Sequence, residues 1–168
     1  MSLEKFFNPQ SVAIVGASQS KGKVGHEVLS SMIRAGYEGK IFPVNPGAKT
    51  IEGLKCYSSV EAIGQVPDLV VVVVPAGIVP TVMQQCANAG VKSVIIITSG
   101  FKEVGEEGRK LEEQIIRISR RAGIRVISII HNHLPVRVGD MDGGGRLPIC
   151  RHIVAERQAL QILGLVDT

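Results

Sequence analysis

Five short apolar runs punctuate the chain: Val12 to Val15, Ile41 to Val44, Leu69 to Val74, Val94 to Ile97 and Arg125 to Ile130. Runs this short, with no polar alternation, predict strands buried on both faces. The five successive valines Val70 to Val74 are nearly pure β-branched sequence and mark the middle of a sheet. Between the runs the spacing turns helical. Val24 to Ala35 carries Val28, Leu29, Met32 and Ile33 on one stripe and ends at Gly36, a residue that tolerates a left-handed cap. Ile78 to Ala89 forms a second helix, with Pro80 near its start and Gly90 just past its end. A third, roughly Glu106 to Ala122, turns Leu111, Ile115, Ile116 and Ile118 inward and Arg109, Lys110, Arg117, Arg120 and Arg121 outward. Strands alternating with helices predict an α/β fold: Rossmann-like and doubly wound, with a mainly parallel sheet of about five strands. The pattern breaks after Ile130. Residues 131 to 146 have no clean period and read as loop, and His152 to Leu163 as a short helix with Ile153, Leu160 and Leu163 partly inward. Two segments follow, residues 1–130 and a divergent C-terminal segment, 131–168.

Composition narrows the function classes. The chain has 168 residues, 45% of them hydrophobic, which is enough for one domain with a core of its own. Nineteen Lys and Arg against fifteen Asp and Glu leave a small positive balance that suits an anionic ligand. The basic face of the third helix lacks interleaved aromatics and reads as solvated surface, so no nucleic-acid partner is expected. The N-terminus has no charged-then-apolar signal pattern, and no apolar run is long enough to span a bilayer, so no membrane role is expected. Cys56, Cys86 and Cys150 are far apart and suggest neither disulfides nor a zinc ribbon; the expected location is cytoplasmic.

The chemistry lies at the turn after the first strand, "VAIVGASQSKGKVGHEVL", where Gly16, Gly22 and Gly25 let the backbone approach an anion and a helix begins at Val24. In a doubly wound sheet this turn lies where ligands bind. Three phosphate ligands compete for it. A nucleoside triphosphate loop would read Gly-x-x-x-x-Gly-Lys-[Ser/Thr]; here the spacing has one residue too many, and Val24 stands where the hydroxyl would hold magnesium. An NAD(P) loop would read Gly-x-Gly-x-x-Gly with an acid closing the second strand. This chain has Gly16-Ala17-Ser18, and its second strand ends Val44-Asn45-Pro46 with no carboxylate. Coenzyme A carries a 3′-phosphate on its ribose and wants cations there, which Lys21, Lys23 and Lys49 supply.

The stretches "NPQSVAIVGASQSKGKVGHEVL", "GKIFPVNPGAKTIEGLKCYSSVEAI", "PDLVVVVVPAGIVPTVMQQCANAGVKSVIIITSGFKEVGEEG" and "AGIRV" resemble, in order, successive blocks of the CoA-binding domain of ADP-forming acetyl-CoA synthetases and related acyl-CoA synthetases and protein acetyltransferases. The same domain is similar to part of the succinyl-CoA synthetase alpha subunit. The resemblance runs from about Leu3 to Val126. It implies that residues 1–130 form a CoA-binding Rossmann-like domain whose loop Gly16 to Gly25, with Ala17, Ser18, Gln19, Lys23 and Val24, wraps the diphosphate. It implies further that Val44, Asn45, Pro46 and Lys49 meet the adenosine and its phosphate. Val74, Pro75 and Ala76 would line the adenine or pantetheine path, and Ile97, Thr98, Ser99 and Gly100 would lie under the pantetheine. Taken singly, Pro75 and Gly100 also read as turn residues and Lys49 as a surface lysine.

Beyond Val126 the resemblance stops. The family continues into a Gly-Pro-Asn-Cys-x-Gly turn and a domain bearing a phosphorylated histidine, whereas this chain reads Ile127-Ser128-Ile129-Ile130-His131-Asn132-His133. No residue is therefore assigned a catalytic role, and acyl-CoA synthesis by this chain alone is not expected. His131, His133, Cys150 and His152, with Asp140 and Asp142, match no standard metal spacing, and no metal site is assigned. The expected ligand is CoA or acyl-CoA. Other synthetase domains or subunits are candidate partners, a homodimer is the base-rate expectation, and the open alternatives are an NAD(P)-binding domain and a CoA-sensing or assembly module.

Overall fold

Successive residues of a strand project to opposite faces, so the all-apolar runs require cover on both sides. In the computed structural model, which describes residues 4–98, 105–129 and 137–138, they receive it. The order along the chain is α1 (Glu4–Phe7), β1 (Ser11–Val15), α2 (Val24–Arg34), β2 (Lys40–Val44), β3 (Thr50–Ile51), β4 (Leu54–Lys55), β5 (Leu69–Val72), α3 (Val79–Ala89), β6 (Ser93–Ile97), α4 (Gly105–Ala122), β7 (Arg125–Ile129) and β8 (Arg137–Val138). The main sheet runs β2-β1-β5-β6-β7-β8. Its first five members are parallel, and β8 adds antiparallel to β7. Counted among the parallel strands, the order is 2-1-3-4-5, a doubly wound arrangement with its reversal between β1 and β5.

Val12 and Ile14 of β1 join Leu69 and Val71 of β5 on one face, under Phe6 of α1 and Val28, Leu29 and Met32 of α2. Ala13 and Val15 join Val70 and Val72 on the other, under Val79, Val82, Met83 and Cys86 of α3 and Ile115 of α4. Every residue of β1, β5 and β6 is buried. Burial also pushes the Cys86 thiol up to about 12, which keeps it protonated and apolar in character.

Several expectations are corrected by the packing. The valine run supplies a strand only to Val72; Val73 and Val74 are half-buried and already turn toward the next element. Ile116 is 41% exposed, because the buried stripe of α4 passes through Gly108 and Ile115 instead. The segment read as loop after Ile130 contains β8, held by backbone pairing of Arg137 with Ser128 and of Val138 with Ile127. Backbone pairing leaves no mark in a hydrophobic pattern. The remainder of 131–168, including the helix expected at His152 to Leu163 and the His, Cys and Asp residues weighed as metal ligands, lies outside the described residues.

Two features close the sheet's exposed parts. Edge strand β2 carries Pro43, which donates no ladder hydrogen bond, and its outer side is covered by Tyr57 through Tyr57 N–H to Pro43 O (2.9 Å) and Asn45 N–H to Tyr57 O (2.8 Å). At the amino ends of the strands, Asp68 accepts from Lys5 Nζ (2.5 Å) and from the Gln10 N–H (2.9 Å), while the Ser11 hydroxyl accepts from the Asp68 N–H (3.0 Å). Burial pushes the Asp68 carboxyl up, but the hydrogen bonds from Lys5 and from the backbone outweigh it and hold the group below the usual carboxylate range. Tyr37 donates to Pro9 O (2.7 Å) beside it, and burial with the Asp68 charge pushes that phenol up to about 12.

A depressed folded pKa makes the contribution of Asp68 full above the unfolded carboxylate value and lost as pH falls through the folded one. Urea unfolding followed from pH 7 down to pH 3 should show this loss in the native chain and a smaller one in Asp68→Asn. Equal slopes in the two proteins would contradict this account.

Candidate functional site

Parallel pairing brings the carboxyl ends of four strands to one edge, since Val15 lies opposite both Val44 and Val72, and Val72 opposite Ile96. The residues that follow are consequently neighbours: Gly16-Ala17-Ser18 after β1, Asn45-Pro46 after β2, Val73 to Ala76 after β5, and Thr98 after β6. These are the positions expected from the sequence, with Ser99 and Gly100 lying outside the described residues.

The loop after β1 is built around two close approaches. Gly16 has φ of +93°, donates its N–H to Val44 O (3.0 Å), and passes so near β5 that a Cβ on it would lie 2.8 Å from Val73 O. Gly25, in the first turn of α2, packs on Gly16 so tightly that its own Cβ would lie 1.9 Å from Gly16 O. Gly22 differs, having φ of +83° but open space around it. The three glycines, alike in the sequence, thus do two jobs: close packing at Gly16 and Gly25, and a positive-φ turn at Gly22.

The expected site residues sort into exposed and committed ones. Lys21, Lys23, Lys49, Gln19 and Val24 are exposed, and among the described residues none of the three lysines has an ion pair. Lys23 is the N-cap of α2 and offers no side-chain acceptor; the His26 N–H turns back to Lys23 O (2.9 Å) and the Glu27 carboxylate takes the Gly22 N–H (3.1 Å), which leaves the first two amides of the helix, those of Val24 and Gly25, without a partner among the described residues. Ala17 and Ser18 are buried, and the Ser18 hydroxyl accepts from the Ser20 N–H (3.1 Å). Asn45 is committed internally: its Nδ2 donates to Ala17 O (2.8 Å) and its Oδ1 accepts from the Gly47 N–H (2.8 Å). Thr98 donates its hydroxyl to Val74 O, tying the end of β6 to the end of β5, and Ile97 is buried beside it. Pro46 and Pro75 are exposed, while Val74 and Ala76 are half-buried and lead into α3 through one short 3-10 turn.

Two contributors were not foreseen from the sequence. The β3–β4 hairpin sits against the loop, with Gln19 Nε2 donating to Thr50 O (2.7 Å), and places Lys49 at its root through Cys56 N–H to Lys49 O (2.9 Å). His26 is buried, with Nδ1 3.1 Å from Ser18 O and 3.6 Å from Glu52 Oε1, and Nε2 3.3 Å from the Ser30 hydroxyl. The signal for His26 was available: it is a polar residue on the same stripe as Leu29 and Met32. Ser30, His26 and Glu52 form a row like that of a hydrolase, but the nearer partner of Nδ1 is a carbonyl, so the ring serves the loop rather than a nucleophile. Cys56 stands under Asn45 with its thiol pushed up, chiefly by burial, and is no thiolate. The edge is thus equipped to hold an anion-bearing ligand, with cations and amides outside and a locked backbone beneath.

Comparison with known proteins places this geometry. The family described as CoA binding domain matches residues 10–132. The chain is 48% identical over 131 residues to the alpha subunit of an ADP-forming acetate–CoA ligase I of Pyrococcus furiosus, covering 76% of this chain and 28% of that subunit. It is 44% identical over 124 residues to an ADP-forming acetate–CoA ligase II of Archaeoglobus fulgidus, covering 74% of this chain and 18% of that enzyme. A dinucleotide forming acetyl-coenzyme A synthetase 1 of Ca. Korarchaeum cryptofilum, solved with phosphate and ADP, superposes with a TM-score of 0.71 at 42% identity, covering 75% of this chain and 27% of that one. The chain therefore spans less than a third of the length of these relatives.

The two kinds of glycine should respond differently to alanine. Gly25→Ala forces α2 and the loop apart and is expected to cost about 3 kcal/mol or more in urea unfolding. Gly22→Ala meets only backbone strain and is expected to cost about 1–2 kcal/mol. A Gly25→Ala protein as stable as the native chain would refute the close packing.

Proposed function

The chain belongs to the CoA binding domain family, and from that premise we propose that the carboxyl edge of its sheet binds CoA or acyl-CoA on behalf of an ADP-forming acyl-CoA synthetase. The observation that carries the reading is the pair of uncapped amides, Val24 and Gly25, that begin α2, flanked by Lys21 and Lys23, neither ion-paired among the described residues, on a loop whose backbone is fixed by Gly16 and Gly25. Gly16 to Gly25, including Ala17, Ser18, Gln19, Lys23 and Val24, takes the diphosphate. Val44, Asn45 and Pro46 border the adenosine, and Lys49 reaches its 3′-phosphate. Val74, Pro75 and Ala76, with Ile97 and Thr98, line the pantetheine path, which Ser99 and Gly100 continue.

Binding of this kind serves orientation. Contacts to the nucleotide end, remote from the thiol, hold the thiol in place for chemistry elsewhere, so binding energy is used to align reacting groups. That chemistry is assigned to other domains or subunits, in keeping with the fraction of each acetate–CoA ligase that this chain covers. The residues at this edge contribute position and charge, and no catalytic role is given to them. The NAD reading finds less support: the residue closing β2 is Asn45, and its amide is already spent on Ala17 and Gly47.

Calorimetric titration with CoA, dephospho-CoA and NAD tests the proposal. CoA should bind about tenfold more tightly than dephospho-CoA, the worth of one charge-assisted phosphate contact. Lys49→Ala should remove that difference, and Lys23→Ala should weaken both CoA ligands alike. No binding of CoA, or NAD binding more tightly than CoA, would overturn the assignment.

A further inference from the structure

Two consecutive carbonyls of the loop are held from beneath by side chains of different elements. Asn45, after β2, donates to Ala17 O at 2.8 Å, and His26, on α2, faces Ser18 O with Nδ1 at 3.1 Å. A carbonyl only accepts, so the ring proton sits on Nδ1, where the Glu52 carboxylate at 3.6 Å also favours it, and Nε2 accepts from the Ser30 hydroxyl. Across a trans peptide the N–H points opposite to the C=O, and none of the described peptide bonds is cis. Fixing the carbonyls of Ala17 and Ser18 therefore fixes the N–H groups of Ser18 and Gln19, directed away from the two side chains. Among the described residues neither N–H has a protein acceptor, although those of Ser20, Gly22 and Lys23 do. Two adjacent amides without a protein acceptor, on peptide groups that are fixed, are donors available to an anion.

We propose that Asn45 and His26 are positioning residues that aim the Ser18 and Gln19 amides at the diphosphate of CoA. The inference rests on the CoA reading above and adds to it a division of labour: Asn45, on the edge expected to meet adenosine, acts through the loop. It also gives a physical reason for an amide at the end of β2. A carboxylate at position 45 still accepts from the Gly47 N–H, but sets its negative charge against Ala17 O and releases that peptide group.

The test uses Asn45→Asp, His26→Leu and His26→Asn, the last keeping a donor near the place of Nδ1. Each variant is titrated with CoA, while the Ser18 and Gln19 amide signals are followed by NMR on addition of CoA and of inorganic pyrophosphate. In the native chain both signals should shift with both ligands. Asn45→Asp and His26→Leu should bind CoA about tenfold more weakly, the worth of one hydrogen bond, and lose the pyrophosphate shifts. His26→Asn should recover both. Rescue by a side chain smaller than leucine separates positioning from core filling, and His26→Gln, with a donor only near the place of Nε2, replaces His26→Leu if that protein does not fold. Native CoA binding with unshifted Ser18 and Gln19 amides, or with Asn45→Asp and His26→Leu at native affinity, overturns this inference alone. No CoA binding by the native chain overturns it together with the reading on which it rests.

Discussion

The approach of three backbones at Gly16 governs this structure. Its N–H reaches the end of β2, its α-carbon lies against the end of β5, and its carbonyl lies under Gly25 of α2. No side chain fits between them. The reversal of strand order falls between β1 and β5 at this point, where doubly wound sheets take their ligands, and the packing of α2 brings a helix N-terminus to the same place. Remove the close approach and the helix retreats, the amides lose their direction, and the lysines on the loop lose their frame.

Around that junction the sheet separates two kinds of work by edge. At the amino ends, polar groups are paired with one another: Asp68 with Lys5 and Gln10, Tyr37 with Pro9, and Lys92 with Ala122. At the carboxyl ends, the inner polar groups fix backbone and the outer ones are left unspent. Asn45, His26 and Thr98 each hold a carbonyl of a neighbouring element, while Lys21, Lys23 and Lys49 face outward without an ion pair among the described residues. An anion brought to this edge meets cations that need not leave another partner first, which lowers the cost of binding.

The β3–β4 hairpin joins the two sets. Gln19 ties it to the loop, Glu52 at its tip faces His26, and Lys49 stands at its root. Glu52 holds a φ of +50°, the only positive value among the described non-glycine residues, and Gly53 follows with +75°. A two-residue turn of this kind matches the twist of its strands, and here it sets the carboxylate toward α2.

What the sequence determined by itself was everything governed by local period and by backbone permission. The five apolar runs, the stripes of α2 and α3, and the caps at Gly36 and Gly90 follow from burial on one or both faces and from positive φ, and each leaves a mark within a few residues. The alignment of Gly16, Asn45, Val74 and Thr98 along one edge was legible too, because parallel strands put their carboxyl ends together. Only the tertiary structure decided which groups are spent and which are free. Asn45 and Lys49 looked alike as ligand contacts, yet one is consumed by Ala17 and Gly47 while the other faces outward. The partners of His26 left no mark in the sequence, and β8 read as loop, since hydrogen bonds between distant residues have no period along the chain. Whether a polar group is available to a ligand depends on what the fold brings beside it, and that is settled by packing rather than by sequence spacing.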